Sequence, residues 1–352
     1  MVKALMVCKD GGAAHVVGFI AQELLLMHAG HEVIVVTEGV GGKQWPGSWP
    51  KPVFQGSEDY QIIPFSVDAE AILRYYRPDV VVVGESFPNN LEGQFARAAQ
   101  QMGIPIVLVE DFWGGFVRIA DLAKDPDLIL TLDEYAVGLA EARFPRARIA
   151  VTGNPGVRRR IADPASQVVD MHRNGNFVVT LCGGGRETAE QIQLLLKCLA
   201  ITSGEWRLVP RWHPKEANRP DPENGNRPYQ EIWDALLAPL GDRVVRVDGP
   251  VDNVVVASDR VCGAYSTLLT TAAQAGVTAV SLVTSQVRQS LEMESAAREI
   301  PHVALGMAHL VEAPVDLASL WPCSIEIRSR IKPFNPLVGA LEICTLVRER
   351  LP

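Results

Sequence analysis

Met1-Val2-Lys3-Ala4-Leu5-Met6-Val7-Cys8-Lys9-Asp10-Gly11-Gly12-Ala13-Ala14-His15 opens the chain and decides how the rest of it is read. Ala4–Cys8 is a short apolar run and reads as a buried strand. It turns polar at Lys9-Asp10 and is too short for the apolar region of a secretion signal. Gly11 and Gly12 let the backbone turn tightly. From His15 to His28, Val16, Ile20, Leu24 and Met27 recur at helical spacing on one face. Strand, glycine turn and helix together make the first half of a βα unit, and Glu32–Thr37 supplies the next strand.

The same alternation continues outward from that start. Apolar runs at Val80–Val83, Pro105–Val109 and Leu128–Leu130 are separated by helical stretches such as Ala69–Tyr76 and Leu91–Met102. Repeated βα units imply a parallel sheet covered on both faces. Lys43–Tyr60, with Trp45, Trp49 and several Pro and Gly, interrupts the rhythm and reads as a long surface loop. After Ile149–Thr152 and the turn Gly153-Asn154-Pro155 the pattern restarts. Strands are expected at Phe177–Leu181, Trp206–Pro210, Arg243–Val247, Arg260–Cys262 and Ala279–Val283, with a helix from Glu187 to Leu199. The expected fold class is α/β, with two Rossmann-like domains facing a cleft. The first spans residues 1–152 and the second 153–332. The segment 333–352 carries a helix, Pro336–Arg350, that packs back on the first domain.

Composition narrows the function. At about 150 residues per domain, 352 residues fit two domains. A chain 47% hydrophobic and 21% charged is not intrinsically disordered. Lys and Arg number 33 against 41 Asp and Glu, a net charge of −8, which excludes a broad basic face for nucleic acid. No run reaches the roughly 18 apolar residues of a membrane span. The six cysteines are widely spaced with no CxxC pair, so they read as buried free thiols rather than zinc ligands or a disulfide framework. A cytoplasmic protein is expected.

Four motifs carry chemistry. In Asp10-Gly11-Gly12-Ala13-Ala14-His15 the helix start aims free N–H groups at the crevice beyond the strand ends. It is no GxGxxG fingerprint, which disfavours a nicotinamide site. His15 is a candidate general base; a surface histidine would look the same. In Leu181-Cys182-Gly183-Gly184-Gly185-Arg186-Glu187-Thr188 a glycine turn and an arginine suit a diphosphate, although a plain tight turn fits too. No Gly-Lys-Ser/Thr follows, so it is not an ATPase loop. Pro210-Arg211-Trp212-His213-Pro214-Lys215-Glu216 gathers Arg211, His213 and Lys215 at a strand end, as an anion site would. Gly263-Ala264-Tyr265-Ser266-Thr267 places hydroxyls at a helix N-terminus, as a phosphate site or an ordinary cap.

Taken together these residues resemble the GT-B fold of nucleotide-sugar-dependent enzymes over nearly the whole chain. Gly11-Gly12-x-x-His15 is similar to the glycine-rich acceptor-side loop of the lipid II-forming N-acetylglucosaminyltransferase and of nucleotide-sugar hydrolases. Gly153-Asn154-Pro155 resembles the Gly-Asn-Pro at their domain junction. His213-Pro214 followed by Tyr265-Ser266-Thr267 is similar to motifs of bacterial sialyltransferases and CDP-glycerol polymerases that hold donor phosphates. Many relatives carry a ribose-binding Glu at a place that here falls near Thr271, within Thr270-Thr271-Ala272-Ala273.

The resemblance implies an inverting, metal-independent glycosyltransferase with no cofactor, using a nucleotide-sugar donor and an unidentified acceptor. The first domain would take the acceptor near His15, with Glu85, Glu110 and Asp111 as alternative bases; those acids follow apolar runs at the edge where α/β sites assemble. The second domain would take the nucleotide-sugar. Gly11, Gly12, Gly184, Gly185, Arg186, Arg211, His213, Lys215, Tyr265, Ser266 and Thr267 are the expected nucleotide-sugar-binding residues. The alternatives are a nucleotide-sugar 2-epimerase or hydrolase of the same fold, or a non-catalytic GT-B-like nucleotide-binding protein.

Overall fold

Side chains along β1 (Lys3–Cys8) alternate between two cores, Ala4, Met6 and Cys8 entering one and Leu5 and Val7 the other. A period of two with both faces apolar is what a strand inside a parallel sheet requires. The computed structural model describes residues 1–37, 52–55, 68–86, 91–119, 122–157, 162–202, 204–213, 217–319 and 331–350. β2 (Glu32–Thr37), β3 (Pro52–Gln55), β4 (Val80–Val83), β5 (Ile106–Val109), β6 (Leu128–Thr131) and β7 (Arg148–Val151) join β1 in a parallel sheet of order β3-β2-β1-β4-β5-β6-β7. Leu5 lies opposite both Ile34 and Val81 in this register.

The two faces are covered by different helices. Gly11–Met27 and the last helix, Pro336–Arg350, close over Met6, Val82 and Leu130 with Ile20, Leu24, Ile343 and Val347. Ala69–Tyr76 and Leu91–Met102 close the opposite face with Leu73 and Phe95. Each fully buried aliphatic or aromatic side chain contributes about 1.5–3 kcal/mol.

A second parallel sheet follows, of order β14-β13-β12-β8-β9. Its strands are β8 (Phe177–Gly183), β9 (Trp206–Trp212), β12 (Arg260–Gly263), β13 (Thr278–Leu282) and β14 (His309–Val311); β10 (Pro220–Asp221) and β11 (Arg227–Pro228) form a separate antiparallel pair. Helices Thr188–Ala200 and Tyr229–Leu237 bury Leu195 and Trp233 on one face, and Thr267–Gln274 buries Leu269 and Ala272 on the other. By contacts the chain divides into a unit of Met1–Pro155, Met293–Ala297 and Ile331–Pro352 and a unit of Gly156–Glu292 and Arg298–Arg330. Met293–Ala297 joins the first unit because Ser295 Oγ donates to the Trp113 carbonyl (2.5 Å) and the Ala296 amide to that of Gly114 (3.0 Å).

Several expectations are corrected. Arg243–Val247 is not a strand: a 3-10 turn, Ala238–Arg243, runs into it, and it makes a single bridge, Leu208 to Val244. The Val245 amide donates to the Leu208 carbonyl (2.9 Å), but the next ladder bond would need an N–H from Pro210, which has none. Within Lys43–Tyr60, Pro52–Gln55 forms the edge strand β3, where a proline is tolerated; the rest of that stretch lies outside the described residues. The first helix begins at Gly11 rather than His15. β14 has too short an apolar run to announce itself.

Cys8, Cys182, Cys198, Cys262 and Cys344 are buried free thiols, and Cys323 lies outside the described residues. Among the described residues no helix is long and apolar enough to cross a membrane.

Candidate functional site

In the first sheet the chain runs outward from β1 through β2 to β3 on one side and from β4 to β7 on the other. The reversal between β1 and β4 opens a crevice beyond the carboxyl ends of the strands, where α/β proteins assemble sites. The segments leaving β1, β4, β5 and β6 there carry Lys9–Gly12, Gly84–Ser86, Glu110–Gly115 and Leu132–Asp133. Small residues let them converge. A Cβ on Gly84 would sit 2.6 Å from that of Ala13, and one on Gly12 would overlap the Asp111 carboxylate.

Glu85 and Glu110 are wholly buried at this edge. Both Glu85 carboxylate oxygens are shut off from solvent, and a Cβ on Gly115 would overlap Oε2. Burial first, then the charges of Glu110 and Asp111, push the Glu85 carboxyl well above the usual range; the Arg118 guanidinium and the backbone of Asp111 oppose the rise. Glu110 Oε1 accepts the Gly114 amide (2.9 Å), and Oε2 is shut off from solvent. Burial dominates its upward shift, aided by Asp133 and Asp111 and opposed by the Gly114 amide and Thr131. Two carboxyls shifted upward in this way hold their protons more firmly than exposed carboxylates do, as groups that exchange protons with a substrate require.

The surrounding residues hold the acids in place. Asp133 Oδ1 caps the helix Glu134–Arg143 through the Tyr135 and Ala136 amides (both 3.0 Å), and Oδ2 accepts Trp113 Nε1 (2.7 Å). Arg118 donates to the Glu85 carbonyl (3.3 Å) and the Glu294 carbonyl (3.0 Å), pairs with the Glu294 carboxylate (3.4 Å), and lies over Phe112. Glu92, wholly buried on the helix Leu91–Met102, accepts the Lys9 amide (2.8 Å) and the Ser86 hydroxyl.

Of the four residues read from sequence as candidate bases, the structure brings Glu85, Glu110 and Asp111 together. His15 lies one helical turn beyond Gly12, exposed, its ring edge-on to Phe19 at 4.7 Å. Sequence reasoning missed Ser86, Glu92, Arg118 and Asp133. A signal for Glu92 did exist: it shares the i, i+4, i+7 stripe of Ala96 and Ala99, both buried. Arg118 and Asp133 take their roles from partners distant in sequence.

In the second unit the candidate binding residues gather at the carboxyl ends of β8, β9 and β12, which are adjacent. Each glycine of the triplet meets a different neighbour. A Cβ on Gly183 would press on the Thr188 methyl (2.5 Å) and the Trp212 ring (2.8 Å), one on Gly184 on His213 Cβ (2.9 Å), and one on Gly185 on the Glu187 carboxylate. The His213 amide donates to the Gly183 carbonyl (2.7 Å), fixing the histidine beside the turn. A Cβ on Gly263 would lie 3.8 Å from Ser266 Cβ, and Ser266 Oγ caps its helix through the Leu268 amide (3.3 Å). Tyr265 is half-buried and Thr267 exposed.

Two of the cations read as anion ligands have other partners. Arg211 directs its guanidinium to the backbone carbonyls of Val247 and Gly249 (2.8 Å to the latter), bracing that loop. Arg186 is exposed and reaches Gln289 Oε1 (3.4 Å). Lys215 lies outside the described residues. Thr271 is buried, its hydroxyl 3.4 Å from the Gly156 carbonyl.

No family model and no curated protein sequence matches the chain. Solved structures do. A Staphylococcus aureus MnaA–UDP co-structure superposes with a TM-score of 0.64 at 14% identity, covering 99% of this chain and 96% of its own. Methanocaldococcus jannaschii UDP-GlcNAc 2-epimerase in complex with UDP-GlcNAc and UDP gives 0.63 at 15%, covering 98% and 99%. Acinetobacter baumannii MurG gives 0.50 at 16%, covering 99% and 95%. The chain has a GT-B-like fold. At these identities the likeness carries the fold alone.

Proposed function

We propose that the chain is an enzyme acting on a nucleotide-sugar, and specifically a 2-epimerase of a UDP-N-acetylhexosamine. Among solved structures of this fold the epimerases superpose better than MurG, which favours that reading over the glycosyl transfer expected from the sequence motifs. The observation that carries it is the pair of buried carboxyls, Glu85 and Glu110, both pushed up in pKa at the crevice of the first sheet.

The chemistry explains the preference. Glycosyl transfer with inversion asks for one base, to take the acceptor proton. Epimerisation at a sugar carbon requires a proton to leave one face and return to the other, so it needs groups that both accept and donate near neutral pH. The hydrogen on C2 is not acidic while the bond from C1 to the oxygen of the diphosphate is intact. Breaking that bond, with its electron pair leaving on the diphosphate, makes C1 cationic. The C2 proton then passes to a carboxylate and its bonding pair forms a C1–C2 double bond. Addition of a proton to the other face of C2 and of the diphosphate to C1 completes the cycle. In this reading Glu85, Glu110 and Asp111 exchange the protons. His213 with Gly184, Gly185, Arg186, Tyr265, Ser266 and Thr267 binds the diphosphate.

Product analysis tests the assignment. UDP-GlcNAc incubated with the protein should convert to an isomer of unchanged mass, separable by chromatography. Release of free nucleotide and free sugar would instead mark a hydrolase. The buried Thr271, near the place where many relatives carry a ribose-binding Glu, favours the non-catalytic alternative, and binding of UDP without any turnover would establish it.

A further inference from the structure

We propose that Glu92 is a positioning residue which, together with Ser86, fixes the two backbone amides where β1 passes into the first helix, and so sets how Gly12 meets Asp111. The geometry is a closed set of bonds across the β1/β4 crevice. Glu92 Oε1 accepts the Lys9 amide (2.8 Å) and the Ser86 hydroxyl; Ser86 Oγ in turn accepts the amides of Asp10 (2.8 Å) and Lys9 (3.2 Å). Three elements meet there: the exit of β1, the exit of β4, and the helix Leu91–Met102. The Asp10 carbonyl then accepts the Ala14 amide (2.8 Å) and starts the helix that carries Gly12. Nothing in this set touches a reacting atom.

The direction of the bonds identifies the active form. An ionised Glu92 can only accept, which turns the Ser86 proton toward it and leaves the Ser86 lone pairs for the Lys9 and Asp10 amides. Charge-assisted bonds of this kind are about twice as strong as neutral ones. Protonation weakens the whole set. Glu92 is raised to about 7 by burial and by the nearby Asp10 charge, against the lowering effect of Ser86 and Lys9. From β1 the Cys8 thiol and Asp10 face it, and from β4 the Ser86 hydroxyl; the thiol is itself pushed up by burial and by Glu92 and stays neutral. In a local opening that frees these amides while Glu92 stays buried on its helix, loss of the bonds that favour its ionised form raises its pKa further. The start of the first helix is therefore held more firmly above neutral pH than below it. In global unfolding, where Glu92 is solvated, its contribution has the opposite sign.

The link to turnover rests on the proposed acid–base role of this crevice, whereas the link to loop order does not. Hydrogen exchange at the Lys9 and Asp10 amides of the free protein tests the latter with no substrate present. Protection, corrected for the intrinsic rate at each pH, is expected to rise about tenfold from about pH 5.5 to about pH 8.5, the scale of one charge-assisted bond. The midpoint should lie near 7. In Glu92→Gln protection should be low and flat across that range; in Ser86→Ala the Asp10 amide should lose protection while Lys9 keeps most of its own. Should Glu92→Gln fail to fold, the unmodified protein and Ser86→Ala carry the test. Protection that ignores pH in the unmodified protein, or that survives intact in Glu92→Gln, overturns the proposal. A protein that orders these amides as expected and epimerises nothing would instead sink the reaction assignment and leave this one standing.

Discussion

Gly12 lies so close to the Asp111 carboxylate that a methyl group at position 12 would occupy the place of Oδ2. The contact joins the start of the first helix to the exit of β5, two elements that share the crevice of the first sheet. The obstructing atom is the end of a side chain, so Asp111 can swing aside. Gly12→Ala should therefore cost little stability, about 1 kcal/mol, near the low end for overpacking. It should cost turnover far more, because the displaced carboxylate belongs to the set proposed to exchange protons. Thermal unfolding alongside kcat checks this. A stability loss above about 3 kcal/mol with unchanged kcat would mean that the contact is only packing.

Stability should fall as pH rises. Glu85 and Glu110 have folded pKa values raised by burial, so between the ordinary carboxylate value and the raised one the native state binds more protons than the unfolded chain. The slope of unfolding free energy with pH is then negative in that window and flattens above the folded pKa. Each pKa unit of elevation corresponds to about 1.4 kcal/mol. Glu85→Gln should remove its share of the slope and stabilise the protein at about pH 8 more than at about pH 5. Denaturant titrations at the two pH values decide it; stability that climbs with pH across this window contradicts the assignment of Glu85 and Glu110.

Asp133→Ala should destabilise by about 2–3 kcal/mol, because one substitution removes a helix cap and leaves the buried Trp113 indole N–H without its acceptor. Asp133→Asn keeps an oxygen for one role or the other and should lose about half as much. Equal losses in the two variants, measured by denaturant unfolding, would show that the charge rather than the geometry matters.

The exposed His15 and the buried Glu85 are expected to separate cleanly. Loss of a positioned proton-transfer group costs about 10²–10⁴-fold in rate, so Glu85→Gln should fall in that range. His15→Ala should stay within about threefold, since its ring packs on Phe19 outside the buried acid set. Steady-state turnover of both variants reverses the account if the histidine proves the costlier loss.

The fold was legible because its signal is local. β1, its glycine turn and the first helix lie within 27 residues, and apolar runs such as Val80–Val83 are buried on both faces and read as such. The edge was less legible. The Arg243–Val247 run has strand composition, but its pairing is decided by the missing N–H of Pro210 more than thirty residues earlier. At the site, Glu85, Glu110 and Asp111 were visible as acids following apolar runs. Glu92 was signalled only by sharing the stripe of Ala96 and Ala99, and Arg118 not at all, since its bonds to Glu294 arise only when distant segments meet. The charge count around His213 was legible, yet the turning of Arg211 toward Val247 and Gly249 depends on a loop whose path the sequence does not state.

The central claim is that buried carboxyls of the first sheet remove and return a proton at a sugar carbon. Incubating the protein with UDP-GlcNAc in deuterium oxide measures that directly. The account predicts that the recovered nucleotide-sugar gains a single deuterium at C2, in step with formation of the epimer, and that Glu85→Gln slows both by the same factor. Recovery of substrate without deuterium at C2, under conditions where the nucleotide-sugar demonstrably binds, would contradict it.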